Sequence, residues 1–198
     1  MKKLFALSVL ALLSSCVLLQ QDYEVEENSE NALFAPSWII PSKAYRAEAN
    51  SNTKKYRYFV DKATDINQRI CLKNSELNAM KKIATDVSAE IINRLKKLQK
   101  SKKLSNVSEL QKDLEQNILV NLSDVNTVKE YWEKRKHLKE KGASKEYFSY
   151  KCDTVVKIKK TSLIHAIETY QEKTNKSLNK KELKDAISSY LTTLKIER

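Results

Sequence analysis

Glycine is nearly missing from this chain: Gly142 is the only one in 198 residues. Chemistries that wrap backbone around a phosphate, or turn it sharply beneath a nucleophile, need several glycines at fixed spacing. The P-loop, the dinucleotide-binding fingerprint and the nucleophile elbow are therefore excluded. Histidine is almost as scarce, with only His137 and His165, and neither stands in a His-Glu-x-x-His pattern or beside a Cys-x-x-Cys pair. Metal centres and Ser-His-Asp catalysis lack visible parts. His165 and Glu168 fall at i, i+3 on an expected helix, but no second half of a metal site accompanies them, so they read as a surface pair. An enzyme would need carboxylates such as Asp61 and Asp65 to converge with distant groups in a cleft, and nothing in the sequence points to that. The expectation is no catalytic residue, no metal and no dissociable cofactor. Arginine is also sparse, at 6 against 31 lysines. Base and phosphate recognition favours the planar guanidinium, so nucleic acid is disfavoured as a partner.

What is present begins at the amino end. Lys2-Lys3 precede an apolar run from Leu4 to Leu13, and Leu13-Ser14-Ser15-Cys16 follow directly. The run is about half the length that crosses a bilayer, and no later stretch approaches 18 consecutive apolar residues. A basic start, a short apolar core and an aliphatic-small-small-cysteine end together resemble a bacterial lipoprotein signal peptide. The resemblance implies export, a diacylglyceryl group on the Cys16 thiol, cleavage before it and acylation of the new amino terminus. The competing reading is an ordinary secretory signal with a chance cysteine, which would want an Ala-x-Ala-like site that does not follow Ser15. Burying acyl methylenes is worth about 0.8 kcal/mol each, so one chain binds marginally and two or three hold stably. Cys16 thus predicts an anchored protein whose only prosthetic group is covalent lipid. Val17 is not the aspartate that retains enteric lipoproteins at the inner membrane, which leans toward the outer membrane, facing periplasm or cell surface.

The expected organisation is a signal over residues 1–15, an acidic tether over 16–42 and a single domain over 43–198. The tether has no Lys or Arg and carries Asp22, Glu24, Glu26, Glu27 and Glu30, which reads as a solvated segment. From Lys43 onward, 35 basic side chains face 20 acidic ones. Such a balance favours anionic partners. Lys96, Lys97, Lys100, Lys102 and Lys103 form the densest basic cluster and would contact lipid headgroups or an anionic polymer. Solvated faces, or the lysine bias of an A/T-rich genome, explain the same excess without a ligand.

Tyr56 to Ile66 alternates apolar and charged residues, which predicts a strand. From Ser75, the spacing of Leu77, Met80, Ala84, Val87, Ile91, Leu95 and Leu98 predicts the longest helix. Asn106-x-x-Glu109 opens a second helix toward Leu122. Val125 to Trp132 and Tyr147 to Lys159 predict two further strands, flanking a charged loop or short helix over Glu133 to Lys145. Leu163 to Tyr170, and the stretch opened by Asn179-x-x-Glu182, predict two closing helices. The fold class is α+β, a small sheet of about three or more strands packed with helices.

After the lipobox come Pro36-Ser37-Trp38-Ile39, the aromatic Tyr58-Phe59-Val60, a helix punctuated by Ala79, Ala84 and Ala89, then Glu130-Tyr131-Trp132 and Tyr150 to Lys159 closing on Leu163. This order resembles the twenty-kilodalton membrane-associated lipoprotein family of bacterial envelopes, including spirochaetal members. It departs from that pattern in carrying Val60-Asp61-Lys62 where the family places glycine. The resemblance implies a small α+β domain on an outer membrane, with an envelope protein partner and no catalytic residue to carry over. Trp132 reads as core. Trp38, between Pro36 and Pro41, either docks the tether on the domain or stands as an exposed anchor. Cys71 and Cys152 remain after Cys16, and an even count in an exported domain permits a disulfide. Burial as free thiols competes, and the mid-strand place of Cys152 favours it.

Overall fold

The computed structural model describes residues 21–98, 107–174 and 180–196. Cys16, Lys100, Lys102, Lys103, Asn106 and Asn179 lie outside the described residues. Four strands form one antiparallel sheet in the order β1-β3-β4-β2, with β1 at Tyr23–Asn28, β2 at Tyr56–Asp65, β3 at Val125–His137 and β4 at Tyr147–Lys159. Four α-helices accompany it: α1 (Gln68–Leu98), α2 (Val107–Asn121), α3 (Lys160–Thr174) and α4 (Lys180–Ile196). The fold is α+β, with the helices layered on one face of the sheet and two short 3-10 turns, Ser37–Ile39 and Pro41–Ala47, against the other.

Helix α1 starts seven residues before Ser75, the expected start, because Asn67 caps it: its Oδ1 accepts the amides of Arg69 and Ile70 at 2.9 and 3.2 Å. The added turns bury Cys71, which with Ser75 and Ala79 makes a row of small residues spaced by four along one face. Such small side chains let the helix lie close to the sheet, and they give almost no hydrophobic signal in sequence. Ser75 Oγ shares a hydrogen bond with Thr154 Oγ1 on β4, so the buried hydroxyls satisfy each other. Beyond this close contact, Ile83, Val87, Ile91 and Leu95 open a larger core. It is filled by Leu114 and Ile118 from α2, Leu163, Ile167 and Tyr170 from α3, and Ile187, Tyr190 and Leu194 from α4.

The acidic segment is not a free tether, and the expected boundary at residue 43 moves back to about residue 22. Tyr23 pairs with His137, Glu24 with Lys136 and Glu27 with Lys134, making β1 an edge strand on β3. Basic β3 supplies what the acids need: Lys134 lies 3.1 Å from Glu26, Lys141 lies 2.8 Å from Glu24 and Lys129 lies 2.7 Å from Glu30. The same pairing extends β3 five residues past Trp132, through the stretch read as a loop; only the 3-10 turn Lys139–Lys141 and Gly142, at φ 106°, close the hairpin. Trp38 docks. It is 4% exposed and meets Tyr131 edge-on with ring centroids 6.3 Å apart, above Val60 and Val155. Trp132 is not core: it is half-buried on the helix side, edge-on to Tyr150 at 6.0 Å, and its neighbour Tyr131 takes the buried place.

Cys71 and Cys152 are bonded, with Cα atoms 5.8 Å apart, so the free-thiol preference is overturned. The mid-strand place of Cys152 predicts burial, and the residue is buried, but α1 lies close enough there for Cys71 to reach it. Closing an 81-residue separation stabilises by about 4 kcal/mol in the chain-entropy picture. Denatured, unreduced protein is expected to yield no thiol from Cys71 or Cys152, and reduction should lower the urea midpoint; two titratable thiols at these positions would contradict the bond.

Candidate functional site

The 3-10 turns cover only half of the outer sheet face. On the other half, inward-facing positions of β3 and β4 that would ordinarily be apolar are Glu133, Arg135, His137, Ser149, Lys151 and Asp153. Strand alternation puts them all on the side of Tyr131 and Val155. This polar strip is the densest set of buried chemistry among the described residues: Ser149, Asp153, Glu133 and His137 are 3%, 4%, 8% and 9% exposed.

Two groups compose it. Arg135 directs Nε and Nη2 to one Glu133 oxygen at 3.1 and 2.7 Å, while the Tyr131 hydroxyl donates to the other at 3.2 Å. Beside them Lys151 Nζ forms an ion pair with Asp153 Oδ2 at 2.8 Å. Burial pushes the Asp153 carboxyl above the ordinary range; Lys151 pulls the other way and Glu133 adds repulsion. Burial likewise raises the Tyr131 phenol, reinforced by Glu133.

At the hairpin end, three residues distant in sequence meet. His137 Nε2 is 2.9 Å from Ser149 Oγ, and its Nδ1 is 3.2 Å from Asp22 Oδ1. Two histidines without an accompanying motif predict that triad chemistry lacks its parts, and no sequence spacing ties Asp22 or Ser149 to His137. The parts are present. Their arrangement differs from a working nucleophile in three respects. Ser149 is buried within the β3–β4 ladder, its neighbouring amides belong to that ladder, and Nδ1 is not aligned for a hydrogen bond to Asp22. Activated serines need an exposed Oγ, a free pair of amides for the oxyanion and an oriented base. The trio instead clamps β1 to β3. His137 stacks on Tyr147 with centroids 4.2 Å apart, Tyr23 closes its other side at 5.6 Å, and Leu138 N donates to Asp22 O at 2.9 Å.

The other expected sites disperse. Lys96 and Lys97 are exposed on the last turn of α1, where Lys97 lines a groove of about 440 Å³ with Glu90, Arg94 and Ser189. His165 is exposed and Glu168 faces Lys195 at 3.6 Å. Asp61 and Asp65 accept the nearby amides of Lys62 and Asn67, both at 2.8 Å. A cluster that sequence reading missed lies where β2 begins and α3 starts: Lys54, Lys55 and Lys160, with Asn52 and Thr161, line a cleft of about 300 Å³. Only the pairing of β2 with β4, Tyr56 opposite Lys159, brings these lysines together. Among the described residues no helix is long and apolar enough to cross a membrane, and no group of three or more His, Cys, Asp or Glu is placed to hold a metal. No family model matches the chain, and no curated protein or solved structure proves similar to it.

Asp153 sets a pH signature. Its folded pKa is raised, so the native state still holds a proton that the unfolded chain has released. Stability therefore falls as pH rises through that window. Asp153→Asn removes the fall: the melting temperature of the variant minus that of the parent should grow as pH rises above the ordinary carboxylate range, and a flat difference would show that Asp153 titrates normally.

Proposed function

We propose that the protein is a non-enzymatic lipoprotein of the bacterial envelope, anchored through acylated Cys16, whose basic α+β domain makes protein or surface contacts. The observation that carries the reading is Leu13-Ser14-Ser15-Cys16 set directly after a lysine pair and a short apolar run. It rests on these residues and not on kinship. The Cys71–Cys152 bond supports it, because such bonds persist in compartments outside the reducing cytoplasm. A non-enzymatic role is supported by how the polar strip is spent, its serine and histidine engaged with each other and covered. Leu33 and Phe34 stand 96% and 83% exposed between β1 and the first 3-10 turn, an apolar pair that a protein contact would bury. Val17 after the anchor favours the outer membrane. Cys16→Ala is expected to abolish acyl labelling and move the protein from the detergent to the aqueous phase; unchanged labelling would sink the anchor.

One observation favours a second reading, a module for anionic headgroups or an anionic polymer: the lysine-lined cleft of Lys54, Lys55 and Lys160. Its contacts would be ionic and would release counterions. Affinity for an anionic polymer should then fall steeply with salt and drop in a Lys54→Glu, Lys55→Glu variant; no affinity at low salt eliminates it.

A further inference from the structure

The structure fixes which end of the domain meets the bilayer, provided the anchor reading holds. Cys16 and Asp22 are six residues apart, a span of at most about 20 Å even when fully extended. Asp22 is not free to swing. Its carbonyl accepts Leu138 N, and Tyr23 pairs with His137, so the chain enters the fold at the β3–β4 hairpin end of the sheet. The opposite end, where β2 begins beside Lys159, lies the length of β4 away, about 40 Å. A six-residue leash cannot turn that end to the membrane while β1 stays paired.

The hairpin end has the surface for that position. Tyr23, His137 and Tyr147 form a row of rings across β1, β3 and β4, and Tyr147 is 38% exposed at its outer edge. Phe148 on the other face is 45% exposed with Lys134 Nζ 5.0 Å above its ring, and Val25 on β1 is 47% exposed. Beyond them the tip at Gly142 is open, with nothing within 4 Å of where a Cβ would stand. Tyrosine rings and lysines with long stems are the side chains that settle at the headgroup layer.

We propose that this end, the β3–β4 hairpin with Tyr147 and Phe148 foremost, rests on the headgroup layer of the membrane holding the Cys16 lipid. The contact is not a polybasic one. Residues 134–146 carry six cations and two acids, and residues 22–27 add four acids, so the end is neutral and its anchoring should be insensitive to salt. The lysine-lined cleft at Lys54 and Lys160 then points away from the bilayer, toward whatever the protein meets.

The test uses the full-length lipidated protein in vesicles of phosphatidylethanolamine and phosphatidylglycerol. A fluorophore is placed on Ser144→Cys in the hairpin or on Lys54→Cys ahead of β2, Cys71 and Cys152 being bonded to each other. Headgroup-labelled quencher lipid should quench the Ser144 site at least about threefold more than the Lys54 site, since the length of β4 separates them. That ratio should survive added salt. Equal quenching in protein that floats with the vesicles overturns the orientation while leaving the anchor intact. Protein that does not float overturns the anchor reading and this inference with it. A Tyr147→Ser, Phe148→Ser variant should float as before with the ratio reduced but still above one, because the leash alone keeps the hairpin end nearer the bilayer; an unchanged ratio would remove the two rings from the contact.

Discussion

The pairing of an acidic edge strand with a basic inner one governs much of this fold. Without β1, strand β3 would present Lys134, Arg135, Lys136 and His137 along an open edge, and half the outer sheet face would lose its cover. With it, each glutamate of the amino-terminal segment finds a lysine, Asp22 meets His137, and the following chain is led across to seat Trp38 over Tyr131. Exposed ion pairs are individually worth little, of order 0 to 1 kcal/mol. Here they act in concert with a backbone ladder, and a slip of one residue would also turn every β1 side chain to the opposite face of the sheet.

Two different solutions cover the two faces of the sheet. On the helix side, α1 approaches closely at its amino end through Cys71, Ser75 and Ala79, where the disulfide and the Ser75–Thr154 hydrogen bond fix it, and then diverges enough for large aliphatic side chains from all four helices to fill the gap. On the outer side there is no helix layer. One tryptophan and a few small residues seal half, and paired charges seal the rest. The arrangement at Arg135, Glu133 and Tyr131 is hydrogen-bonded throughout, whereas at Asp153 burial outweighs the pull of Lys151 and raises the carboxyl.

The elements driven by apolar periodicity were legible in sequence: β2, β4, α2, α3, α4 and the carboxyl-terminal three-quarters of α1 all follow spacings of two or of three and four. The elements driven by polar complementarity were not. β1 reads as a solvated acidic run because its partner is basic, and the second half of β3 reads as loop for the same reason. The first turns of α1 were hidden because small residues, chosen for close approach, carry little hydrophobic weight. The clamp at His137 has no sequence signal for a geometric reason: Asp22 reaches His137 and Ser149 only through a strand pairing that joins segments more than a hundred residues apart.

That separation bears on the order in which the protein takes shape. The strand at Tyr23–Asn28 has no partner until His137 exists and β3 has paired with β4, so in a chain made amino end first it is an early segment to emerge and among the last to be folded. Loop closure over such a distance is slow. An apolar segment waiting that long would be a template for aggregation; one bearing five carboxylates between Asp22 and Glu30 repels its own copies and stays in water until the basic strand arrives. The acidity that made this stretch look like a linker thus also serves the interval before it becomes a strand.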